Sequence, residues 1–338
     1  MKTEQKPPLN VRACDLFAGV GGSSLGATQA GVSVVAAVDT WELAQKTYLD
    51  NFKGVTYYHH RCESLDPTDL LQDVGPIQLL LASPECTNHT CAKGSSERSE
   101  RSRRTALQVG RFAAVLKPRW IVVENVIHMR RWHRYQEWIA QLLQLGYNAR
   151  VQVLNAADFG VPQARRRLFV ICDRKRIPPR IVASNRIKVR TAGAIINPNG
   201  KYPYSPLEVT GRAPDTLLRA NRAIASLGSE SPFLIVYYGT DGAGGWQRVD
   251  APLRTVTTVD RFAYVKPAGS GYEMRMLQVP ELKAAMGFPG SFKLDHGTRR
   301  DRIKLLGNAV CPAVMRAIIA QLMAADEEFK GFNGNGSR

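Results

Sequence analysis

Carboxylates are scarce in this sequence. Its 338 residues hold 29 Asp and Glu against 46 Lys and Arg, a formal net charge of +17. A surplus of that size points to a polyanionic partner, most often nucleic acid. Cysteine is sparser still: six residues, at positions 14, 62, 86, 91, 172 and 311, with no CxxC pair and no Cys/His cluster of zinc-site spacing. No metal is expected. In a chain with 44% hydrophobic residues a disulfide framework is not expected either, and most of these cysteines read as buried thiols. No run reaches the roughly 18–20 apolar residues of a membrane span. The opening MKTEQKPPLN lacks the apolar middle region of a signal peptide. These absences predict a soluble, cytoplasmic protein with no membrane contact. Two phosphate-site signatures, GxGxxG and GxxxxGK(S/T), are missing as well. Their absence speaks against hydride transfer from a dinucleotide and against a nucleoside triphosphate site. A nucleoside cofactor without a long phosphate chain fits better.

What is present begins with a β/α alternation. Val11–Phe17, Val32–Val38, Ile77–Ala82, Trp120–Glu124, Ala149–Leu154 and Leu168–Cys172 read as strands. Periodic stretches at Trp41–Asn51, Ala106–Leu116 and Tyr135–Leu145 read as helices between them. The pattern predicts an α/β fold, a doubly wound, mostly parallel sheet with helices on both faces. Ligands in such folds bind beyond the carboxyl ends of the strands. After about Arg174 the pattern weakens. Residues 174–250 are rich in Pro, Gly and Arg, with short β-like pieces such as Phe233–Tyr238, and predict a smaller, irregular module. A final amphipathic helix is expected over Pro312–Ala324, with Pro312 in its first turn, and the GNGSR tail reads as frayed. The basic charge is uneven: Arg165 to Arg190 holds ten Lys/Arg and one acid, Asp173, and a second cluster runs from Arg98 to Arg104.

Several of the predicted strand ends carry chemistry. The first runs into Asp15-Leu16-Phe17-Ala18-Gly19-Val20-Gly21-Gly22. Glycines there either admit a ligand close to the backbone or merely allow a tight turn. The second strand leads to Asp39, about 20 residues on, a placement that suits a ribose hydroxyl pair. The third ends in ASPECTNHT, where Cys86 is either a nucleophile or a small buried residue. Glu124, in VVENV, either faces the ligand crevice or caps the next helix. In FGVPQARRR, Arg165 and Arg167 face the same way if the segment is extended. LGNAVCP precedes the final helix.

Taken in order, DLFAGVGG, Asp39, the cysteine turn, ENV, QARRR, RTVTT, MGFPGSF and GNAV resemble the DNA (cytosine-5)-methyltransferase family of prokaryotic or phage type. The resemblance covers nearly the whole chain except 174–250, where that family places its variable target-recognition region. It implies a catalytic and cofactor-binding domain over 1–173 and a target-recognition domain over 174–300. A C-terminal helix over 301–325 would return to the catalytic domain, with a tail over 326–338. It also implies methyl transfer from S-adenosylmethionine, leaving S-adenosylhomocysteine, to C5 of cytosine in double-stranded DNA. By that resemblance Cys86 is the nucleophile that adds to C6 of a flipped base. Glu124 holds and protonates N3, Arg167 contacts O2, and Arg165 supports Glu124 and the thiolate. Phe17, Gly19, Val20, Gly21 and Gly22 surround the cofactor, Asp39 takes its ribose, Glu63 its adenine amino group, and Asn308 and Val310 close the pocket. Pro84, Glu85, Arg98, Arg101, Arg103 and Arg104 fall to the DNA side. A cognate restriction endonuclease acting on the same site, in a bacterial nucleoid or a phage-infected cell, belongs to the same implication.

Two positions depart from the family pattern. Its usual Pro-Cys-Gln is here Glu85-Cys86-Thr87, and its usual acid after glycine is here Cys62-Glu63. An anion beside the nucleophile disfavours a thiolate unless it faces away or is paired. Glu85 either accepts from the cytosine amino group or only replaces the packing of proline. Two further readings keep the fold but change the role: methylation of RNA cytosine, and a catalytically silent DNA-binding homologue.

Overall fold

The computed structural model describes residues 11–85, 104–200, 202–238, 244–269 and 271–334. The chain divides into two compact units, one of residues 1–154, 167–182 and 314–338, the other of 155–166 and 183–313.

The first unit is built on a seven-stranded sheet. Its strands are β1 (Arg12–Leu16), β2 (Ser33–Val38), β3 (Thr56–Tyr58), β4 (Leu79–Ala82), β5 (Trp120–Asn125), β6 (Asn148–Asn155) and, after the two-residue β7 (Gln163–Ala164) of the other unit, β8 (Arg166–Asp173). They lie in the order β3-β2-β1-β4-β5-β8-β6. Strands β1 to β5 are parallel, and β8 runs antiparallel beside β5. The mostly parallel sheet expected from the sequence is present. Strands β4 and β5 are buried at every position, which is why they read as continuous apolar runs rather than as an alternation. On one face Cys14, Leu16, Leu80, Ala82, Ile121, Val123, Leu168 and Val170, alternate residues of four strands, form a core with side chains of the helices Pro67–Val74, Leu107–Leu116 and Tyr135–Gln144. The first of these helices was not anticipated. Its signals are local: Pro67 in the first turn and Asp66 as N-cap, whose Oδ1 accepts from the Thr68 N–H at 2.8 Å.

The chain runs from β1 to β2 and β3 on one side and returns to β4 on the other, so the order of the sheet reverses at β1. A crevice opens at the carboxyl ends of strands at such a point. The C-terminal helix, Pro312–Gly334, runs further than the sequence suggested. Met315, Ile318, Ile319 and Leu322 are buried, and Asp326 accepts from Arg119 at 2.6 Å and Arg176 at 3.0 Å. The stretch Arg299–Asp326 is long and apolar enough to cross a membrane by length and composition alone, but 67% of that window is buried inside the protein, as in a core helix.

The second unit holds a five-stranded antiparallel sheet in the order β11-β10-β13-β14-β9: β9 (Ser205–Pro206), β10 (Phe233–Val236), β11 (Trp246–Arg248), β13 (Phe262–Ala268) and β14 (Gly271–Met276). The helix Pro214–Leu227 seats Ala220 and Ala223 on Phe233, Ile235, Ala263 and Val265. Residues 174–250 therefore contain more regular structure than their composition suggests. Small residues on the buried helix face let it lie close to the sheet, and small residues carry little hydrophobic signal.

Around β7 the second unit is clasped by two side chains. Gln163 is fully buried; its amide donates to the Ala285 carbonyl at 3.1 Å and accepts from the Val256 N–H at 2.9 Å. Arg165 donates to the carbonyls of Val256 (3.0 Å), Gly307 (2.9 Å) and Ala309 (3.1 Å). Alongside runs β12 (Leu253–Arg254), parallel to β7. Three segments remote in sequence thus meet on one short extended piece. At the tightest point a Cβ on Gly307 would stand 2.4 Å from the backbone C and O of Thr257. Replacing Gly307 by alanine is expected to destabilise this unit by about 1–3 kcal/mol, because backbone cannot yield as a side chain can. A urea titration followed by tryptophan fluorescence reads this directly; an unchanged midpoint would show that the backbones do not approach this closely.

Candidate active site

Main-chain groups beyond the end of a parallel strand lose their ladder partners and need others. Here side chains from neighbouring strand ends supply them in series. Asp39, after β2, accepts from the Gly19 N–H of the loop after β1 at 2.9 Å. Ser83, after β4, donates its hydroxyl to the Phe17 carbonyl of that same loop at 2.9 Å. Asn125, closing β5, donates to the Pro84 carbonyl after β4 at 3.0 Å and accepts from the Val126 N–H at 2.8 Å. Arg167, on β8, pairs with Glu124 on β5 at 3.1 Å. Five strands, β2-β1-β4-β5-β8, are laced at one edge.

The last contact follows from register. Glu124 stands opposite Phe169, so Arg167, two residues from Phe169, is its diagonal neighbour on the same face. Glu124 is buried, and a buried carboxylate needs a cationic or hydrogen-bonding partner. The alternative that Glu124 serves only to cap a following helix finds no support, because the 3-10 turn Ile127–Arg131 that comes next has no side-chain cap.

The loop after β1 has the backbone of a ligand cradle. Phe17 (φ 59°), Gly19 (φ 53°) and Gly21 (φ 88°) all lie in the left-handed region. A Cβ on Gly19 would meet nothing within 4 Å, whereas one on Gly21 would stand 2.3 Å from the Phe52 ring. Gly19 therefore borders open space, with room for a ligand, and Gly21 is a packing requirement. Val20, Gly21 and Gly22 are buried. Asp39 uses one oxygen for Gly19 and the other for the Trp41 N–H at 2.9 Å, and each carboxylate oxygen keeps capacity for a further donor. A carboxylate with remaining acceptor capacity beside an open glycine fits a nucleoside cofactor with free ribose hydroxyls.

Beneath the loop lies Asp15, fully buried, whose Oδ2 accepts from the N–H and hydroxyl of Ser24 at 3.1 and 2.6 Å. Ser24 in turn meets the Tyr48 hydroxyl at 2.8 Å. Asp15 so caps the helix Gly22–Gln29, which has no side-chain cap of its own. Burial raises its carboxyl to about 7, against the opposing effect of the Ser24 hydrogen bonds.

The other expected site residues lie on separate elements. Pro84 is buried and Glu85 exposed at the end of the described turn; Cys86, Arg98, Arg101 and Arg103 lie outside the described residues. Arg104 begins the 3-10 turn Arg104–Ala106. Glu63 is exposed in the turn after β3, and that turn is held by Arg111, which donates to the carbonyls of Cys62 and, at 2.9 Å, Leu65. In the second unit Asn308 is the exposed last residue of the helix Arg299–Asn308, and Val310 is buried just beyond. Four of the six cysteines, 14, 62, 172 and 311, are buried and not in disulfides. Burial pushes the Cys172 thiol up to about 12 and raises Cys14 and Cys62 as well, so these three are poor thiolates at neutral pH.

Comparison with known proteins gives the family. The family model for C-5 cytosine-specific DNA methylases matches residues 11–324, and the chain belongs to that family. It is 30% identical over 301 residues to the Type II methyltransferase M.HgiDI of Herpetosiphon aurantiacus, covering 89% of this chain and 90% of the relative. It is 27% identical over 329 residues to M.NlaX of Neisseria lactamica, covering 92% and 96%. Among solved structures, the Entamoeba histolytica methyltransferase EhMeth shares the fold with a TM-score of 0.70 at 18% identity, covering 94% of this chain and 98% of that one. The S. pombe Dnmt2 methyltransferase does so with 0.68 at 18%, covering 94% and 99%. The reaction of this protein is methyl transfer from S-adenosylmethionine to C5 of cytosine in DNA.

Two outcomes are expected from the lacing. Asn125→Ala frees the Pro84 carbonyl and should lower kcat by up to about 100-fold through misplacement of the following residues. The KM for S-adenosylmethionine should stay near the wild-type value; initial rates over a cofactor series separate the two. Asp15→Asn tests the buried carboxyl. Its folded value lies above the unfolded one, so the wild type loses stability as pH rises from about 4 to about 7, with a slope of at most about 1.4 kcal/mol per pH unit. The variant should show a flatter profile across that window by chemical denaturation; parallel profiles would mean that Asp15 does not titrate there.

Proposed function

We propose that Cys86 is the nucleophile of this reaction and Glu124 its acid. The observation that carries the reading is the edge of the sheet: a buried glutamate paired with Arg167, one residue before the asparagine that holds the peptide two positions ahead of Cys86. Cytosine C5 is a weak nucleophile. Addition of the Cys86 thiolate to C6 places electron density at C5, while a proton from Glu124 reaches N3 so that the ring carries no net negative charge. Arg167 keeps Glu124 in position and presents its remaining donors to the base O2. S-adenosylmethionine, when bound, supplies the electrophilic sulfonium methyl group. Loss of the C5 proton to water, breakage of the bond from Cys86 to C6 and return of the N3 proton to Glu124 then restore the aromatic ring, the thiolate and the acid.

Asp39 would hold the ribose, and the Phe17 to Gly22 loop the rest of the cofactor, with the open flank of Gly19 as the point of closest approach. Glu63 would take the adenine amino group from the turn that Arg111 fixes. Exposure of Glu85 favours the reading in which it turns away from the thiolate. Arg165 would act mainly on the second unit, where its guanidinium engages three carbonyls. We further propose that the methylated site is one that a cognate endonuclease cuts, in keeping with the Type II names of the relatives.

The test is methyl incorporation from tritiated S-adenosylmethionine into unmethylated duplex DNA, with bisulfite mapping of the product. Cys86→Ala should incorporate nothing measurable, and Glu124→Gln should be slower by roughly 10²–10⁴-fold. A Cys86→Ala protein that still methylates would remove the covalent mechanism. Incorporation into total RNA but not DNA would transfer the activity to another substrate.

A further inference from the structure

Immediately after the catalytic edge the chain carries a run of cations that the proposed mechanism does not use. From Asn125 to Gln136 the sequence NVIHMRRWHRYQ contains Arg130, Arg131 and Arg134, with His128 and His133, and no carboxylate before Glu137. This is not a loose loop. Residues Ile127–Arg131 form a 3-10 turn, and the N–H groups of Met129, Trp132 and Tyr135 donate to the carbonyls of Val126, Met129 and Trp132 at 3.0, 3.0 and 2.9 Å. Met129, Trp132, Tyr135 and Trp138 are buried in the main core of the first unit. Four large apolar side chains thus nail the turn down, and the residues between them are forced outward. Arg130, Arg131 and His133 are exposed. Arg134 is engaged by Glu137, with Nε to Oε2 at 2.7 Å. Arg130, by its charge and by a hydrogen bond, partly offsets the rise that burial causes at the Tyr135 hydroxyl.

Holding several cations on a rigid turn without acids between them is unfavourable in isolation, and it is relieved by an anion that bridges them. The position restricts what that anion is. Six residues separate Arg130 from Glu124, a span of at most about 20 Å and shorter in a 3-10 turn, which rises about 2 Å per residue. About 20 Å corresponds to some six base steps along one strand. We propose that the turn Ile127–Arg131 is a fixed phosphate-binding surface for duplex DNA, gripping the backbone through Arg130 and Arg131 within about six base pairs of the cytosine held by Glu124. The inference rests on the proposed role of Glu124 for that distance, and on the turn alone for the phosphate contact. It positions the duplex and reads no sequence.

The experiment measures binding of a fluorescent duplex of about 20 base pairs by anisotropy across a salt series. It compares wild type, Arg131→Gln, Arg131→Lys and the double variant Arg130→Gln with Arg131→Gln. Each phosphate contact contributes about −0.9 to the slope of log K against log salt. The double variant should have a slope shallower by about 1.8, the single Gln variant by about 0.9, and the Lys variant should keep the wild-type slope. Melting temperature and the KM for S-adenosylmethionine should be unchanged, and the KM for DNA should rise. Slopes equal to wild type in both Gln variants overturn the proposal. So does a slope change seen with RNA of the same length but not with duplex DNA. A second arm fixes the distance: duplexes with neutral methylphosphonate linkages near the target cytosine should lose the difference between wild type and double variant, and those modified only beyond about six base pairs should keep it. Binding slopes do not depend on turnover, so a wild type that binds DNA through this turn but transfers no methyl group would count against the proposed mechanism and not against this surface.

Discussion

The sheet edge depends on a shortage of hydrogen-bond partners. Where parallel strands end, their next peptide groups are left without a ladder, and burial forbids leaving them unpaired. Asp39, Ser83 and Asn125 answer this with side chains that each reach to the adjacent strand end, and Arg167 adds an ion pair to Glu124 of the neighbouring strand. Each bond is modest, about 1 kcal/mol net for a neutral pair and more where a charge takes part. Their value lies in being in series: no loop of the crevice is placed by its own turn alone. Rigidity of that kind is what a covalent mechanism needs, because thiolate addition and protonation act on atoms of one ring at the same time.

Chemical restraint accompanies that rigidity. The three buried thiols whose acidity burial suppresses lie within the first unit's core, and Asp15 lies under the loop after β1 with a carboxyl near neutrality. Burial thus keeps these thiols protonated, while the buried carboxylates Glu124 and Asp326 are each paired with arginine.

Much of this was legible in the sequence. Strands β1, β2, β4, β5 and β8 announced themselves as apolar runs because a strand buried on both faces has no polar side to show. Glu124 and Arg167 stand out by motif order, and the structure pairs them. Other features left fainter traces. Strand β3 is three residues long at the sheet edge, too short for a period. The helix Pro214–Leu227 faces its sheet with alanines, which hydrophobic patterning underweights. Gln163 and Asn125 stood inside recognised motifs, yet their work is done on main-chain carbonyls and N–H groups, and a sequence does not show which backbone a side chain will meet. The turn after β5 was passed over because its cations alternate with core residues and so form no unbroken basic run.

The clasp in the second unit has a consequence for how such proteins diversify. Where the chain enters the region that follows β8, the Ala192 N–H donates to the Ala251 carbonyl at 2.8 Å and the Gly193 N–H to the Val249 carbonyl at 2.7 Å. Entry and exit of the intervening segment therefore touch, just before the strand that Gln163 and Arg165 fasten down. A segment whose two ends are already joined behaves as a cassette: doubling its length adds only about 0.6 kcal/mol of closure entropy, and its contents can change without disturbing the clasp. The contents of that stretch can then be exchanged as one continuous piece of gene, while the clasp and the laced sheet edge are inherited intact.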